Sequence, residues 1–469
     1  MASEKFRQEL AQALPQWQQE GLINDEQRHQ LASRYQLDQI ESNAQNRFTA
    51  ILIGLGAILL GIGAITFVAA NWQAIPRNLK LLLLLTAFVG VNAAGFELWQ
   101  HAQPETGRRR LGQGLLLLGA LLLGANLALG GQLFHRSGSF YDLCLAWSLG
   151  TWLMAYSLRL TPLGILAVVL LSFGYWSGLW QTVWGEAVQW RWTLEAMPLL
   201  AAGLFISLAY RCHSKAIFGL GAIAVSASYW IVLAQLASGL PLGLTLWLIL
   251  VPYALFWAYR DRWGAIELSE AQRFQPIAQR LAIGGLGLLY YVGSFYAIWS
   301  EPTQSNPQAV NWDVLETYWL GSGSVVILSV VMLWAWITLG WRDRPRQGWR
   351  WSGLDATIAF FLLITAGVAY WHWVVTPVGA IATLIFNLLL FLTAVGCIQQ
   401  GLNRVHRGAF WFGIVLLTLQ VLSRVFEYET GLLLKSGTFV LCGVLVIIAG
   451  IGFERHRHRL AARSVPTHE

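Results

Sequence analysis

The chain alternates between long apolar stretches and short polar segments, and this pattern predicts helices that cross a membrane. A bilayer core about 30 Å thick is spanned by roughly 20 apolar residues, because a helix rises about 1.5 Å per residue. Fourteen stretches approach the required length: 49–71, 79–99, 111–134, 140–158, 162–181, 195–210, 216–237, 241–259, 278–300, 319–341, 354–374, 377–399, 408–426 and 432–453. The shortest of them, 195–210, begins with a charged residue, Glu195. We therefore expect an all-α, polytopic integral membrane protein with about fourteen transmembrane helices.

Two uncharged stretches, 216–259 and 356–403, are each long enough to cross the bilayer core twice. Each contains a turn signal near its middle, Ser238-Gly239-Leu240-Pro241 in the first and Thr376-Pro377 in the second. Proline disfavours helix at the residue before it, so each stretch is expected to fold as a helical hairpin.

The distribution of basic residues between the predicted loops gives an orientation. If residue 1 lies in the cytoplasm, the cytoplasmic segments hold 25 of the 31 Lys and Arg residues and the opposite side holds 6. Cytoplasmic loops carry the excess of Lys and Arg in membrane proteins. We therefore expect both Met1 and Glu469 in the cytoplasm, with a membrane domain over 48–454 and a basic cytoplasmic tail over 455–469.

Composition supports the membrane class and excludes several others. Hydrophobic residues make up 56% of the chain and charged residues 12%, whereas a soluble domain carries about 25% charged residues. The net charge of +7 follows from the loop asymmetry, so we expect no nucleic-acid partner. The four cysteines show no paired spacing, which indicates neither a metal site nor a disulfide framework.

Residues 1–47 are polar and are expected to form a short cytoplasmic helical hairpin before the membrane domain. An amphipathic first helix is predicted over 3–20. Asn24 followed by Gln27 is typical of a capping box, which would start a second helix at about 25–36. Such a hairpin is too small to hold a sizeable core. We expect it either to dock on a protein partner or to act as a passive cap.

Three segments of the first third resemble one family: "WQQEGLINDEQRHQLASRY" (17–35), "FVAANWQAIPRNLKL" (67–81) and "LGANLALGGQLFHRSG" (123–138). The chain is similar over about residues 10–160 to bacterial membrane proteins with a conserved amino-terminal domain of unknown function. The resemblance implies an integral protein of the bacterial cytoplasmic (inner) membrane. It implies no reaction, cofactor or site.

Motifs that would indicate an enzyme are lacking. The sequence has no phosphate-binding GxxxxGK[ST], no HExxH and no GxSxG, and its loops are too short for a catalytic domain. Charged residues are nearly absent from the middle of the spans, where Asn92, Asn126 and Asn387 are the deeper polar groups. Interhelical hydrogen bonds are the ordinary role of such amides. We expect neither catalysis nor a cofactor or metal.

Polar residues instead gather near the predicted outer ends of the spans. His135 and Asp142 flank a short turn and are close enough in sequence to meet. Together they would form part of a ligand site or act as a general acid/base pair. The alternative is a structural polar cap that ties the helix ends together. The candidate ligand-binding residues are Asn71, Trp72, Gln132, His135, Asp142, His372 and Arg424.

Basic residues line the predicted cytoplasmic rim and would attract anionic lipid, with about 1 kcal/mol for each cation near the surface. Fixing the topology is the simpler explanation of the same pattern. The candidate lipid contacts are Arg108, Arg109, Arg110, Arg342, Arg344, Arg346, Arg350, Arg455, Arg457 and Arg459.

Two functions are compatible with this sequence. One is transport or handling of a lipid or another hydrophobic solute through an outward-facing polar pocket, with membrane lipids as partners. The other is a non-catalytic membrane scaffold, assembly factor or sensor that uses the amino-terminal hairpin to dock a partner. An internal cavity of lipid size would favour the first function, and a solid helix bundle would favour the second.

Overall fold

The computed structural model describes residues 10, 13–14, 17–18, 20–35, 76–101, 107–133, 139–184, 188, 190–261, 273–300, 310–341, 352–403, 406–427 and 431–463. Within these ranges the regular structure is helical and contains no strand, which confirms the all-α class. The first predicted span, 49–71, lies outside the described residues.

The helix bounds follow the apolar stretches closely. The helices are α1 (Asp25–Tyr35), α2 (Arg77–His101), α3 (Gly107–Leu133), α4 (Phe140–Leu158), α5 (Thr161–Val183), α6 (Arg191–Glu195), α7 (Met197–Cys212), α8 (Lys215–Leu236), α9 (Leu242–Ala258), α10 (Gln275–Gly293), α11 (Trp312–Thr317), α12 (Trp319–Trp341), α13 (Gly353–Val375), α14 (Gly379–Asn403), α15 (Arg407–Glu427) and α16 (Leu432–Arg463). Short 3₁₀ and π segments complete the list: a 3₁₀ turn at Tyr296–Trp299, and π segments at Ala202–Ile206 in α7 and Trp371–Val375 in α13.

Nine helices in the described part of the chain are long and apolar enough to cross a membrane. These are α2, α3, α5, α8, α12, α13, α14, α15 and α16. Four more, α4, α7, α9 and α10, coincide with predicted spans but are shorter or less apolar. The structure therefore supports a protein with several membrane-spanning helices, and it does not confirm the number fourteen.

The chain divides into two units, Met1–Leu83 and Leu84–Glu469, with the boundary inside α2. In the first unit, the predicted capping box at the start of α1 is formed. The Asn24 N–H donates to Gln27 Oε1 at 3.0 Å, and the Gln27 N–H donates to Asn24 Oδ1 at 2.8 Å. Most of the first predicted helix, 3–20, lies outside the described residues, so the hairpin stays a prediction.

In the second unit, the turn signals act where the sequence places them. Helix α8 ends at Leu236 and α9 begins at Leu242, and α13 ends at Val375 before α14 begins at Gly379. Two short connections use the left-handed backbone region, at Arg159 (φ 55°) after α4 and at His213 (φ 49°) after α7. Each turn reverses the chain within a few residues and produces an antiparallel helix pair.

Glycine allows α14 and α15 to approach closely. A Cβ atom on Gly413 would lie 2.5 Å from the Ala394 carbonyl oxygen, and one on Gly401 would lie 2.5 Å from the Phe410 backbone nitrogen. Small residues at helix crossings have this role in membranes, where close van der Waals packing drives association.

Two clusters of buried apolar residues hold the second unit together. The first is built mainly from α4, α5, α7, α8 and α12 and includes Phe205 and Tyr229. The second is built from α9, α10, α13, α14 and α15 and includes Tyr290 and Leu390. Trp336 of α12 contacts both clusters, and its indole N–H donates to the Ala254 carbonyl oxygen at 2.9 Å.

Candidate functional site

Asp142, one of the predicted outer ligand residues, has a local structural role. Its carboxylate accepts hydrogen bonds from the Ser139 N–H and hydroxyl, both at 3.0 Å, and the Asp142 N–H donates to Ser139 Oγ at 3.2 Å. These bonds form a capping box that starts α4. His135, the proposed partner of Asp142, lies outside the described residues, as do Asn71 and Trp72. The backbone of Gln132 is helical.

His372 is buried in the π segment that ends α13. The Val378 N–H donates to His372 Nδ1 at 3.0 Å, so the ring hydrogen is assigned to Nε2. Nε2 is buried without a hydrogen-bond partner among the described residues. The ring meets Trp299 and Trp373 edge-on, with centroids 5.1 and 4.7 Å away. The histidine is therefore packed in an aromatic cluster.

Arg424 of α15 reaches the end of α10, where several polar side chains converge. It donates to the Ser294 carbonyl oxygen at 2.7 Å and pairs with Glu427, and its guanidinium lies 4.7 Å from the Phe295 ring centre. Asn387 also donates to the Ser294 carbonyl oxygen, at 3.0 Å. These bonds join α10, α14 and α15. This arrangement is that of a polar cap that ties helix ends together, which is the alternative to a ligand site at these residues.

Two of the three deeper amides make hydrogen bonds between helices, which is the ordinary role expected of them. Asn126 of α3 donates to the Leu84 carbonyl oxygen of α2 at 3.2 Å, and Asn387 joins α14 to α10 as described above. Asn92 donates to Phe88 within its own helix, at 2.8 Å, and its Oδ1 has no partner in the described part of the chain.

Two buried carboxylates, Glu195 and Asp355, lie near helix ends. Asp355 starts α13 and accepts from the Trp257 indole N–H of α9 at 3.0 Å. Glu195 was predicted to begin the span 195–210, but the corresponding helix α7 starts at Met197, so Glu195 ends α6 and lies outside the span. Its carboxylate is 3.4 Å from Arg191 Nε. Burial raises the pKa of Glu195, and the neighbouring Arg191 guanidinium opposes that rise.

Of the predicted basic rim, Arg108, Arg110 and Arg455 are exposed and Arg109 is half-buried. Arg457 and Arg459 continue the helix of α16. Arg342, Arg344, Arg346 and Arg350 lie outside the described residues altogether.

One concave feature of the second unit was not anticipated from the sequence. It is a groove of about 630 Å³ between α7, α8, α9 and α12, and we call it the lateral groove. Its wall is mostly apolar, with Leu199, Val225 and Leu328 among the lining residues. The lining residues Gly203 and Ile327 also lie on the exposed surface. The groove therefore opens sideways, through the apolar flank of the helices.

The π segment Ala202–Ile206 forms one wall of the lateral groove and includes the lining residues Ala202, Gly203 and Ile206. Single π turns inside helices occur frequently at functional sites. A Cβ atom on Gly203 would meet nothing within 4 Å, so the space beside this residue is open.

One end of the lateral groove is polar. Tyr210, Arg211 and Tyr259 line it, and the Tyr210 and Tyr259 hydroxyls are 2.7 Å apart. Tyr210 also donates to Asp261 Oδ1 at 3.4 Å. The Arg211 guanidinium lies 5.3 Å from the centre of the Tyr156 ring, which also lines the groove. The site thus has an apolar body and a cationic, hydrogen-bonding end.

A second, smaller cavity of about 340 Å³ lies between α10, α14 and α15. Its polar lining includes Arg280 and His406, whose Nη2 and Nε2 atoms are 2.6 Å apart. The described residues contain no group of three His, Cys, Asp or Glu side chains placed to hold a metal ion.

Comparison with known proteins identifies the first third of the chain. Residues 15–164 match the model of a family described as Predicted membrane protein (DUF2157). This match confirms the resemblance to a membrane-protein domain of unknown function, and it ends at the beginning of α5. Neither the curated proteins nor the solved structures give a match to the chain. The helices that form the lateral groove lie beyond the matched residues.

Proposed function

We propose that this membrane protein binds and handles a lipid or another hydrophobic solute in the lateral groove. The observation that carries the proposal is a cavity of about 630 Å³ whose walls are apolar and whose one end holds Tyr210, Arg211 and Tyr259. Cavities of about 300–1,000 Å³ with apolar walls and a few polar groups are typical of small-molecule sites. A groove open through an apolar flank would admit a molecule dissolved in the bilayer.

The proposed site differs from the outward-facing pocket expected from the sequence. Its polar end lies at Arg211 and Tyr259, and the distribution of basic residues assigns these helix ends to the cytoplasmic side. We therefore propose that the ligand occupies the inner leaflet of a bacterial cytoplasmic membrane, with Met1 and Glu469 in the cytoplasm. The outer set of Asn71, Trp72, Gln132, His135, Asp142, His372 and Arg424 stays a prediction for a ligand site.

Filling the lateral groove tests this proposal. In Gly203→Trp, the new side chain would occupy the open space beside α7, because a Cβ atom on Gly203 would have no neighbour within 4 Å. Gly367→Trp is the matched control, since Gly367 is exposed on α13 with the same free space and does not line the groove. Both changes place one tryptophan on an apolar helix surface.

The measurement is the amount of phospholipid retained per protein by each variant, determined by native mass spectrometry after purification in a mild detergent. We expect the wild-type protein and Gly367→Trp to retain the same lipid and Gly203→Trp to lose it. Equal retention by all three proteins would overturn the proposal that the lateral groove is the binding site.

A scaffold role is the second candidate, and one observation favours it. Beside the capped start of α1, the apolar side chains of Trp17 and Leu22 are 37% and 68% exposed. Contiguous exposed apolar patches mark docking surfaces, and we propose that Trp17 and Leu22 belong to one. If Leu22→Asp abolishes the cellular function of the protein while Gly203→Trp preserves it, the scaffold proposal gains and the groove proposal fails.

A further inference from the structure

We infer that the lateral groove selects an anionic amphiphile, whose acidic head group binds the guanidinium of Arg211 while its hydrocarbon chain lies along α7. This inference rests on the proposed function, because it assumes that the groove holds an amphiphile. It adds the chemical class of the head group and the residue that recognises it.

The first observation concerns an unpartnered donor. Arg211 lies in the last turn of α7, and its Nε atom is buried without a hydrogen-bond partner among the described residues. Leaving a buried N–H unpaired is unfavourable. A carboxylate or phosphate oxygen would supply the missing acceptor, and these groups match the fork of the guanidinium.

The second observation is that the neighbouring carboxylate is already engaged. Asp261 Oδ1 accepts from the Phe274 N–H at 2.9 Å, and Oδ2 accepts from the Gln275 N–H at 3.0 Å. Tyr210 adds a third donor to the same carboxylate. Asp261 therefore fixes the start of α10, and no salt bridge to Arg211 exists in the described part of the chain.

The third observation is the local excess of positive charge. The Cys212 thiol donates to the Ala155 carbonyl oxygen at 3.7 Å, which joins the end of α7 to the end of α4. Arg159 follows α4 directly, and Lys215 begins α8 three residues after Cys212. Arg159 and Arg211 both lie beside Cys212, so among the described residues the cations at this end outnumber the one engaged carboxylate, Asp261, and the end favours an anion.

The fourth observation is the length of the groove. The lining residues Leu199 and Arg211 are twelve positions apart on α7, which corresponds to about 18 Å at the rise of an α-helix. One leaflet contributes about half of a 30 Å bilayer core. The groove therefore has room for a chain of one leaflet, with the head group at Arg211 and the chain passing Gly203.

The test compares head groups on the same hydrocarbon chains. Purified full-length protein in mild detergent is titrated with dioleoyl phosphatidylglycerol, dioleoyl phosphatidylcholine, oleate and inorganic phosphate, and binding is read by native mass spectrometry. The wild-type protein should prefer phosphatidylglycerol to phosphatidylcholine, and inorganic phosphate should not compete. Binding of oleate in place of phosphatidylglycerol would identify a fatty acid as the ligand, with the same head-group contact.

Arg211→Gln should reduce the preference for the anionic lipid about tenfold, which is about 1.4 kcal/mol, and leave binding of phosphatidylcholine unchanged. The control is Arg191→Gln, because Arg191 also lies over a tyrosine ring, 4.9 Å from Tyr318, and precedes the other end of α7. This control should keep the preference of the wild-type protein.

The outcomes separate this inference from the proposed function. If Gly203→Trp removes all lipid while Arg211→Gln keeps the anionic preference, the inference fails and the groove proposal stands. If Gly203→Trp removes nothing, both fail. If Arg211→Gln weakens phosphatidylglycerol and phosphatidylcholine equally, the residue has only a structural role and the inference is overturned.

Discussion

Replacing Asp355 with alanine should destabilise the protein more than the corresponding change at Asp142. Asp355 and Trp257 are both 6% exposed, and the Trp257 indole N–H donates to Asp355 Oδ1 at 3.0 Å. The other carboxylate oxygen accepts from Ser352 Oγ at 2.7 Å. One side chain thus hydrogen-bonds Ser352, the residue that caps α13, and joins this helix to α9.

The expected magnitude follows from these two roles. Loss of the hydrogen bond to the capping Ser352 costs about 1 kcal/mol, and leaving the Trp257 N–H buried and unpaired costs about 1–3 kcal/mol. The free energy of unfolding of Asp355→Ala should therefore fall by about 2–4 kcal/mol. Asp142→Ala is the matched control, because Asp142 also accepts from the hydroxyl of its capping serine, Ser139, and its Oδ1 has no partner in the described residues. It should lose about 1 kcal/mol.

Free cysteines provide the assay. Cys144, Cys397 and Cys442 are buried and unpaired, so a thiol-reactive dye reports their exposure when the protein unfolds. An SDS titration read by this dye gives the free energy of unfolding for each variant. Trp257→Phe, alone and combined with Asp355→Ala, completes a double-mutant cycle.

Two results are expected from this experiment. Asp355→Ala must cost more than Asp142→Ala, and the combined variant must cost less than the sum of its two single variants, because the phenylalanine removes the unpaired donor. Equal costs for the two aspartates, or additive losses within about 0.5 kcal/mol, would refute the account of the Trp257–Asp355 bond.

Two further predictions concern charge and orientation. Burial raises the pKa of Glu195. Between the ordinary pKa of the carboxyl and this raised pKa, the folded protein binds more protons than the unfolded chain. The stabilisation from this group is therefore lost as the pH rises through the raised pKa. Glu195→Gln should therefore flatten the pH dependence of the unfolding midpoint in that range, and parallel profiles for the two proteins would contradict this. A reporter enzyme that works only in the cytoplasm should be active when it is fused at Met1 and also when it is fused at Glu469. Activity at one end alone would disprove the even number of crossings.

Apolar stretch length and proline predicted most helix positions of the second unit. Proline ends helices by removing a backbone donor and by steric conflict, so the turns before Leu242 and Gly379 could be placed from sequence. The π segment in α7 could not, because apolar composition does not show where a helix changes its hydrogen-bond register. The π segment does lie within 195–210, the shortest of the predicted spans, but a short span does not by itself predict a π turn.

The candidate site was much harder to predict than the fold. Four helices form the lateral groove and Tyr156 of a fifth, α4, lines its polar end, and no local spacing shows that these side chains meet. In the sequence, Arg211 looks like an ordinary loop cation that sets topology. Only the structure shows that its Nε is buried without a partner among the described residues. Asp142 illustrates the reverse case, because a carboxylate three residues after Ser139 is typical of a helix cap, and that is the role it has.

The sideways opening of the lateral groove at Gly203 and Ile327 determines how affinity for its ligand should be expressed. A molecule that enters from the bilayer arrives by two-dimensional diffusion, and its concentration is a mole fraction of the surrounding lipid. Even weak intrinsic binding would keep such a groove filled in a membrane where the ligand is abundant. Dilution into detergent micelles removes this reservoir, so occupancy would depend on the detergent-to-lipid ratio and little on the volume of the sample.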